Sequence, residues 1–317
     1  MTRLAWAALL IAVAVLPSCR RDHKKIIGVV PKGRVHLFWQ SVHAGANKAG
    51  RETGVEILWN GPQSETDYNG QLQIVDAMIN RRVDAIAVAP IERKSLVSVV
   101  ERAAREKIPV FIFDSGIDTE QYVARVMTDN YRGGEIAAER VGSLLNGKGT
   151  AAIIASVPGA GSTMEREAGF RKKIESAFPG IKIVAEQYGA ADYAKSLAVT
   201  ENILTAHPDL GALFASNESS SVGASRALKG RTTKARLVGF DSSPGLIEDL
   251  AAGRIDSLVT QDPFFMGYET VRMAAAHLNG QPVKKANDIE PKLVNRDNLN
   301  SPEIQARIQP DLKKYLD

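Results

Sequence analysis

From residue 26 onward the chain alternates short apolar runs with longer stretches whose apolar positions recur every three or four residues. Ten runs stand out, at 26–30, 55–59, 85–89, 110–113, 123–127, 151–155, 181–185, 211–215, 237–240 and 257–260. Most are apolar throughout, as expected of parallel strands buried on both faces. Between them, Leu72, Val75 and Ile79, then Val99 and Ala103, then Val141, Leu144 and Leu145, have helical spacing. After the first run the pattern turns helical near Trp39, with Val42, Ala46 and Ala49 on one face. Ser162 and Glu165 have capping-box spacing, and Ser243-Pro244 puts a cap before a proline at the first helical position. Strand and helix in alternation predict an α/β protein with parallel sheets. A chain of 317 residues has room for two domains, and ten strands divide naturally into two sheets. The stretch TDNYRGG, residues 128–134, reads as the first crossing between them, while the tail 295–317 is polar and then helical with no role assigned.

The composition, 44% hydrophobic and 24% charged, is that of a folded chain. Its net charge of +4 is small and dispersed, which argues against a nucleic-acid platform. The start of the chain changes the picture more. Arg3 precedes an apolar stretch at 4–16, followed by Pro17, Ser18 and Cys19. That stretch is too short to span a bilayer comfortably but fits the core of an export signal. LPSC has the form of a bacterial lipobox, and Cys19 is the one cysteine of the chain, placed where a lipid would be attached. The expectation is a leader over 1–19 and a periplasmic or cell-surface protein anchored through Cys19. The five histidines show no metal spacing, and the chain has no Gly-x-Ser-x-Gly elbow. The loop SVPGAGSTMER, residues 156–166, lacks the lysine and glycine spacing of a phosphate loop. No catalytic residue, metal or cofactor is expected.

In open α/β sheets, ligands bind beyond the carboxyl ends of the strands. Those ends carry Asp114, Asn217, Asp241 and Gln261, and the first strand leads to His36, Phe38 and Trp39. A dinucleotide site would have glycines at that first turn. Planar hydrogen-bonding groups beside aromatic faces suit a ligand dense in hydroxyls with an apolar ring face. Taken singly, each of the four polar residues could equally be a turn former or a cap.

With these ends goes an ordered set of motifs: DSGI at 114–117, TDN at 128–130, MEREAGF at 164–170, ILTAHPDLGALFASNE at 203–218, VGFDSSP at 238–244 and TQDPFFMG at 260–267. Over residues 25–291 the chain resembles the ribose-binding type of type I periplasmic binding protein, which serves sugar ABC transporters. The resemblance implies two Rossmann-like lobes joined by three crossings with a sugar held between them. It places the N-terminal lobe at 26–128 plus 262–290 and the C-terminal lobe at 129–261 plus 291–317. It makes His36, Phe38, Trp39, Asp114, Arg166, Asn217, Asp241 and Gln261 ligand contacts. Ser115 joins them, standing where ribose binders have an arginine. Ala191 stands in place of an aromatic, with Tyr188 and Tyr193 nearby, and Ala89 in place of an amide, with Glu92 nearby. These departures point away from ribose itself and leave a hexose, a pentose, a polyol or another hydroxylated solute open. The implied partner is a membrane permease, with the protein acting as a monomer. Presentation of the closed form to a chemoreceptor or sensor kinase is the alternative. A repressor on this fold would begin with a helix-turn-helix, where this chain has its apolar leader. On this reading Trp39→Ala spares the fold and weakens binding by about 2 kcal/mol.

Overall fold

Apolar runs become strands where both of their faces can be covered. In the computed structural model, which describes residues 24–229 and 231–316, each of the ten runs coincides with all or part of a strand. The expected leader over 1–19, with Cys19, lies outside the described residues. The first sheet holds β1 (Ile26–Val30), β2 (Glu56–Trp59), β3 (Ala85–Val88), β4 (Val110–Phe113) and β5 (Ala124–Thr128). The second holds β6 (Lys148–Ala155), β7 (Gly180–Tyr188), β8 (Ala212–Ala215), β9 (Arg236–Phe240) and β10 (Ser257–Thr260). Their spatial orders are equivalent, β2-β1-β3-β4-β5 and β7-β6-β8-β9-β10, and all these pairings are parallel.

Two further strands were not expected. β11 (Ala286–Ile289) pairs with β5 in the first sheet, and β12 (Lys292–Val294) runs antiparallel to β10 in the second. Each lies at a sheet edge, where pairing on one side suffices and a continuous apolar run is unnecessary. The sequences ANDI and KLV therefore carry little of the signal that marks the buried strands.

Helices cover both faces of each sheet, so each sheet has two apolar layers. On the first sheet, α1 (Leu37–Thr53) and α9 (Pro263–Leu278) pack closely, because a side chain at Gly45 would meet the Phe264 carbonyl at 1.9 Å. In the second lobe α4 (Asn130–Leu144) and α5 (Gly161–Ala177) approach in the same way, Gly134 leaving room for the Arg166 carbonyl. The chain passes between the sheets after β5, after β10 and between β11 and β12.

The tail corrects one expectation. α10 (Pro302–Ile308) buries Ile304 in the second lobe, but α11 (Lys313–Leu316) lies against α1 of the first. There Asn47 Nδ2 donates to the Tyr315 carbonyl at 2.8 Å, and the Tyr315 ring sits 5.7 Å from that of Phe264. Residues 291–317 thus do not all belong to the second lobe; their end straps back onto the first. One predicted cap is also different. Ser243 caps α8 (Pro244–Ala251) as its sequence suggests, but α5 starts at Gly161, so Ser162 lies inside its first turn and forms no capping box.

Candidate functional site

The two sheets point the carboxyl ends of their strands at each other. After β4 and after β9, which hold equivalent places, the chain turns sharply at Asp114 and Asp241. Both have left-handed backbone, φ 61° and 69°, a conformation that Asp tolerates better than most side chains. Each keeps one more ladder bond, Asp114 N to Val126 O at 3.0 Å and Asp241 N to Val259 O at 2.9 Å. Both carboxylates are thereby turned into the same cleft, and strain of this kind is common at ligand sites.

The cleft is lined mainly by polar side chains and holds about 300 Å³ of empty space, its open mouth included. His36, Phe38, Trp39, Asp114, Arg166, Asn217, Asp241 and Gln261 all stand on its wall. Ser115 does not. It is wholly buried, and its Oγ accepts from Ser162 N at 3.0 Å, joining the two lobes beside the cavity. Five residues that the sequence reading missed complete the wall: Lys32, Glu65, Ser162, Thr163 and Glu218. Lys32 lies just past β1 and Glu218 beside Asn217, so the strand-end rule could have found both. Glu65 sits in a loop well past β2 and gives no local signal.

Charges in the cleft are paired. Lys32 Nζ meets Asp114 Oδ2 at 2.6 Å and donates to Ser162 Oγ at 2.8 Å across the lobes. Asp114 Oδ2 has no hydrogen bond besides that ion pair. Arg166, almost fully buried on α5, donates to Asn130 Oδ1 at 2.8 Å and Ser216 O at 2.9 Å. Its guanidinium lies 3.9 Å above the Phe240 ring and 4.0 Å from Asp241 Oδ2. Burial outweighs this cation and raises the Asp241 carboxyl to about 6. Gln261 bridges the crossings, accepting from Thr128 Oγ1 and donating to Asp241 Oδ1, both at 2.7 Å. Asn217 Oδ1 accepts from Ser220 N at 3.1 Å, as a cap does at the start of α7 (Glu218–Lys229). The capping role of that residue coexists with its place on the cavity wall.

His36 bonds through both ring nitrogens, Nδ1 to Glu65 Oε1 at 2.8 Å and Nε2 to the Ala191 carbonyl at 3.0 Å, as an imidazolium does. Burial alone would lower its pKa, but Glu65, followed by Glu218, overrides this and raises it to about 9. Glu65 is held at about 2, its burial offset chiefly by His36. The stabilisation from the raised histidine is complete below its ordinary 6.5 and is lost as pH rises through about 9. That from Glu65 is present above 4.5 and lost as pH falls toward about 2. Two carboxyls raised by burial, Asp241 to about 6 and Glu167 to about 7, act in a lower window, reducing stability as they ionise there. Between pH 7 and 9.5 the wild-type protein is therefore expected to lose on the order of 3 kcal/mol of unfolding free energy through His36. His36→Gln should flatten that slope in urea titrations run across the interval; an unchanged slope would show that His36 is not the titrating group.

The departures from the ribose-binding pattern have visible consequences. Tyr193 stands behind the cleft wall, edge-on to His36 at 5.2 Å, with its hydroxyl donating to Glu218 at 2.6 Å; Tyr188 is exposed. Ala89 is core, its carbonyl accepting from Gln71, and Glu92 is spent on the backbone N–H groups of Lys94 and Ser95. Among the described residues no cluster of three or more His, Cys, Asp or Glu could hold a metal ion, and no helix is long and apolar enough to cross a membrane.

Two equivalent lobes closing on a small polar cleft define a solute-binding protein. The profile of the family described as "Periplasmic binding protein domain" matches residues 27–282, and the chain belongs to that family. The D-ribose/D-allose-binding protein of Pseudomonas aeruginosa is 33% identical over 285 residues, 83% of this chain and 88% of its own. The ribose import binding protein RbsB of Bacillus subtilis is 28% identical over 78% of this chain and 80% of its own. Among solved structures, a carbohydrate transporter solute-binding protein from Agrobacterium radiobacter, in complex with D-arabinose, superposes with a TM-score of 0.88. It is 34% identical and covers 90% of this chain and 99% of that one. A solute-binding protein from Agrobacterium vitis with bound D-fucose gives a TM-score of 0.87 at 32% identity, over 89% and 99%. These relatives are transport binding proteins rather than enzymes, and the family is periplasmic.

Proposed function

We propose that this protein captures a neutral monosaccharide or related polyol between its lobes by hinge closure and delivers it to an ABC transporter permease. The observation that carries this reading is the cleft itself. Its carboxylates, amide and guanidinium converge from both lobes on one cavity beside the aromatic pair Phe38 and Trp39. A ring with hydroxyls at its edge and an apolar face satisfies both kinds of wall. Charge balance favours a neutral solute. Lys32 faces Asp114, His36 faces Glu65 and Arg166 faces Asp241, so no unpaired cation awaits a carboxylate or phosphate. His36, Phe38, Trp39, Asp114, Arg166, Asn217, Asp241 and Gln261 are the proposed contacts, with Lys32 and Glu218 added. Ligand favours the closed form by its greater affinity for that form, as in other periplasmic binding proteins. In this reading the protein works as a monomer, with Cys19 as its lipid anchor beside the permease.

Thermal unfolding against D-ribose, D-allose, D-arabinose, D-fucose, tagatose, an inositol, gluconate and ribose 5-phosphate tests the assignment. One group of neutral sugars is expected to raise the melting temperature, by the equivalent of about 4 kcal/mol at a thousandfold excess over Kd. A shift with gluconate or the phosphate alone would overturn the neutral-solute reading.

A further inference from the structure

α1 carries Phe38 and Trp39 into the cleft, yet its own sequence does not cap it. His36, at the capping position, makes no side-chain bond to the helix, and the first turn contains no acidic residue. The first backbone N–H groups of any α-helix lack partners within it, and the helix dipole adds partial positive charge there. The partner here comes from the other lobe. Glu218, at the start of α7, accepts from Leu37 N at 3.3 Å through Oε1 and from Phe38 N at 2.9 Å through Oε2. It is held for this task within its own lobe: Tyr193 Oη donates to Oε1 at 2.6 Å, and the Glu218 backbone N–H donates to Asp241 Oδ2 at 2.8 Å.

We propose that Glu218 is a closing residue, a helix cap supplied across the cleft that favours the closed arrangement of the lobes independently of the solute. Hydrogen bonds to an ionised carboxylate are roughly twice as strong as neutral ones, and Glu218 is almost wholly buried where they form. When the lobes part, Leu37 N and Phe38 N lose this partner and turn to water. Other bonds also cross between the lobes: His36 Nε2 with Ala191 O, Lys32 Nζ to Ser162 Oγ, Ser162 N to Ser115 Oγ, and Arg93 N to Gly159 O. Unlike these, Glu218 bonds the free backbone N–H groups of the helix that presents Phe38 and Trp39. Capping that turn fixes the aromatic wall in the same movement that shuts the cleft.

This inference rests on the hinge-closing reading of the site, but its first test needs no solute. Small-angle X-ray scattering of the sugar-free protein is compared with that of Glu218→Gln and of Tyr193→Phe, which removes only the hydroxyl that holds Oε1. Both variants are expected to have a larger radius of gyration than the wild type, with the shift greater for Glu218→Gln. Equal sugar-free radii for the wild type and two folded variants would overturn the proposal. If Glu218→Gln does not fold, Tyr193→Phe decides alone, expansion supporting the proposal and an unchanged radius overturning it. With whichever of D-ribose, D-allose or D-arabinose binds, stopped-flow dissociation should be several-fold faster from Tyr193→Phe, which leaves every proposed sugar contact in place, since release requires opening. An unchanged release rate would also count against it. Failure of every sugar to bind would overturn the sugar assignment while the scattering result still judged the cap.

Discussion

Replacing Trp39 by alanine is expected to lower folding stability by about 3–5 kcal/mol as well as weakening sugar binding. The side chain is only 3% exposed and packs in the same apolar layer as Val42, Phe111 and Phe113. Its ring lies edge-on to Phe38 at 4.8 Å and to Phe113 at 6.4 Å, and its Nε1 donates to Glu65 Oε1 at 2.7 Å. Alanine would leave a cavity under the cleft and take one of the two donors from a buried carboxylate. The expectation from sequence, that this substitution spares the fold, is corrected on those grounds. Trp39 is a core residue with one face on the site. Urea unfolding of Trp39→Ala and Trp39→Phe measures the two parts, since phenylalanine keeps most of the packing and loses only the indole donor. A midpoint for Trp39→Ala equal to that of the wild type would show the ring to be dispensable to the core.

The second large effect belongs to Arg166. Arg166→Met is expected to destabilise the protein by about 3–5 kcal/mol, because removing one member of a buried charge pair strands the other. Asp241 would lose its nearest cation, and its carboxyl, already raised to about 6, would climb further. Asn130 Oδ1 and Ser216 O would lose their donor. The Asn130 amide nitrogen already lacks a partner, so nothing nearby compensates. Adding Asp241→Asn should recover part of the loss, which a double-mutant cycle in urea measures directly. Strict additivity of the two substitutions would mean that the 4.0 Å separation carries no useful coupling.

How much of this was legible beforehand depended on how each residue is determined. Eight of the ten strands were readable because burial on both faces demands apolar side chains along most of the run, a constraint written locally; β2 and β7, at sheet edges and only partly buried, were readable because they still carry apolar runs. β11 and β12 were not, since an edge strand asks for little but backbone pairing. Asp114 and Asp241 could be found because they end such runs, and the turn that aims them is a local event. Glu65 escaped notice for the opposite reason. It reaches the cleft from a loop after β2, and its partner His36 comes from the turn before α1.

Ser162 and Ser115 show the limit most clearly. A serine before an acidic residue three places on has the form of a cap, but here the helix began one residue earlier. The freed hydroxyl and N–H were then taken by Lys32 and Ser115 from the other lobe. By itself the amino-acid order determined the α/β class, the pairing of strands with helices and most of the residues that end at the cleft, because these follow from hydrophobic period and chain direction. Only the tertiary structure decided which of them share a wall, that Trp39 belongs to the core, that the tail straps back to α1, and that Glu218 caps a helix 180 residues away in the chain. Those are contacts between segments distant in sequence, and their free energy exists only once both lobes are folded and facing each other.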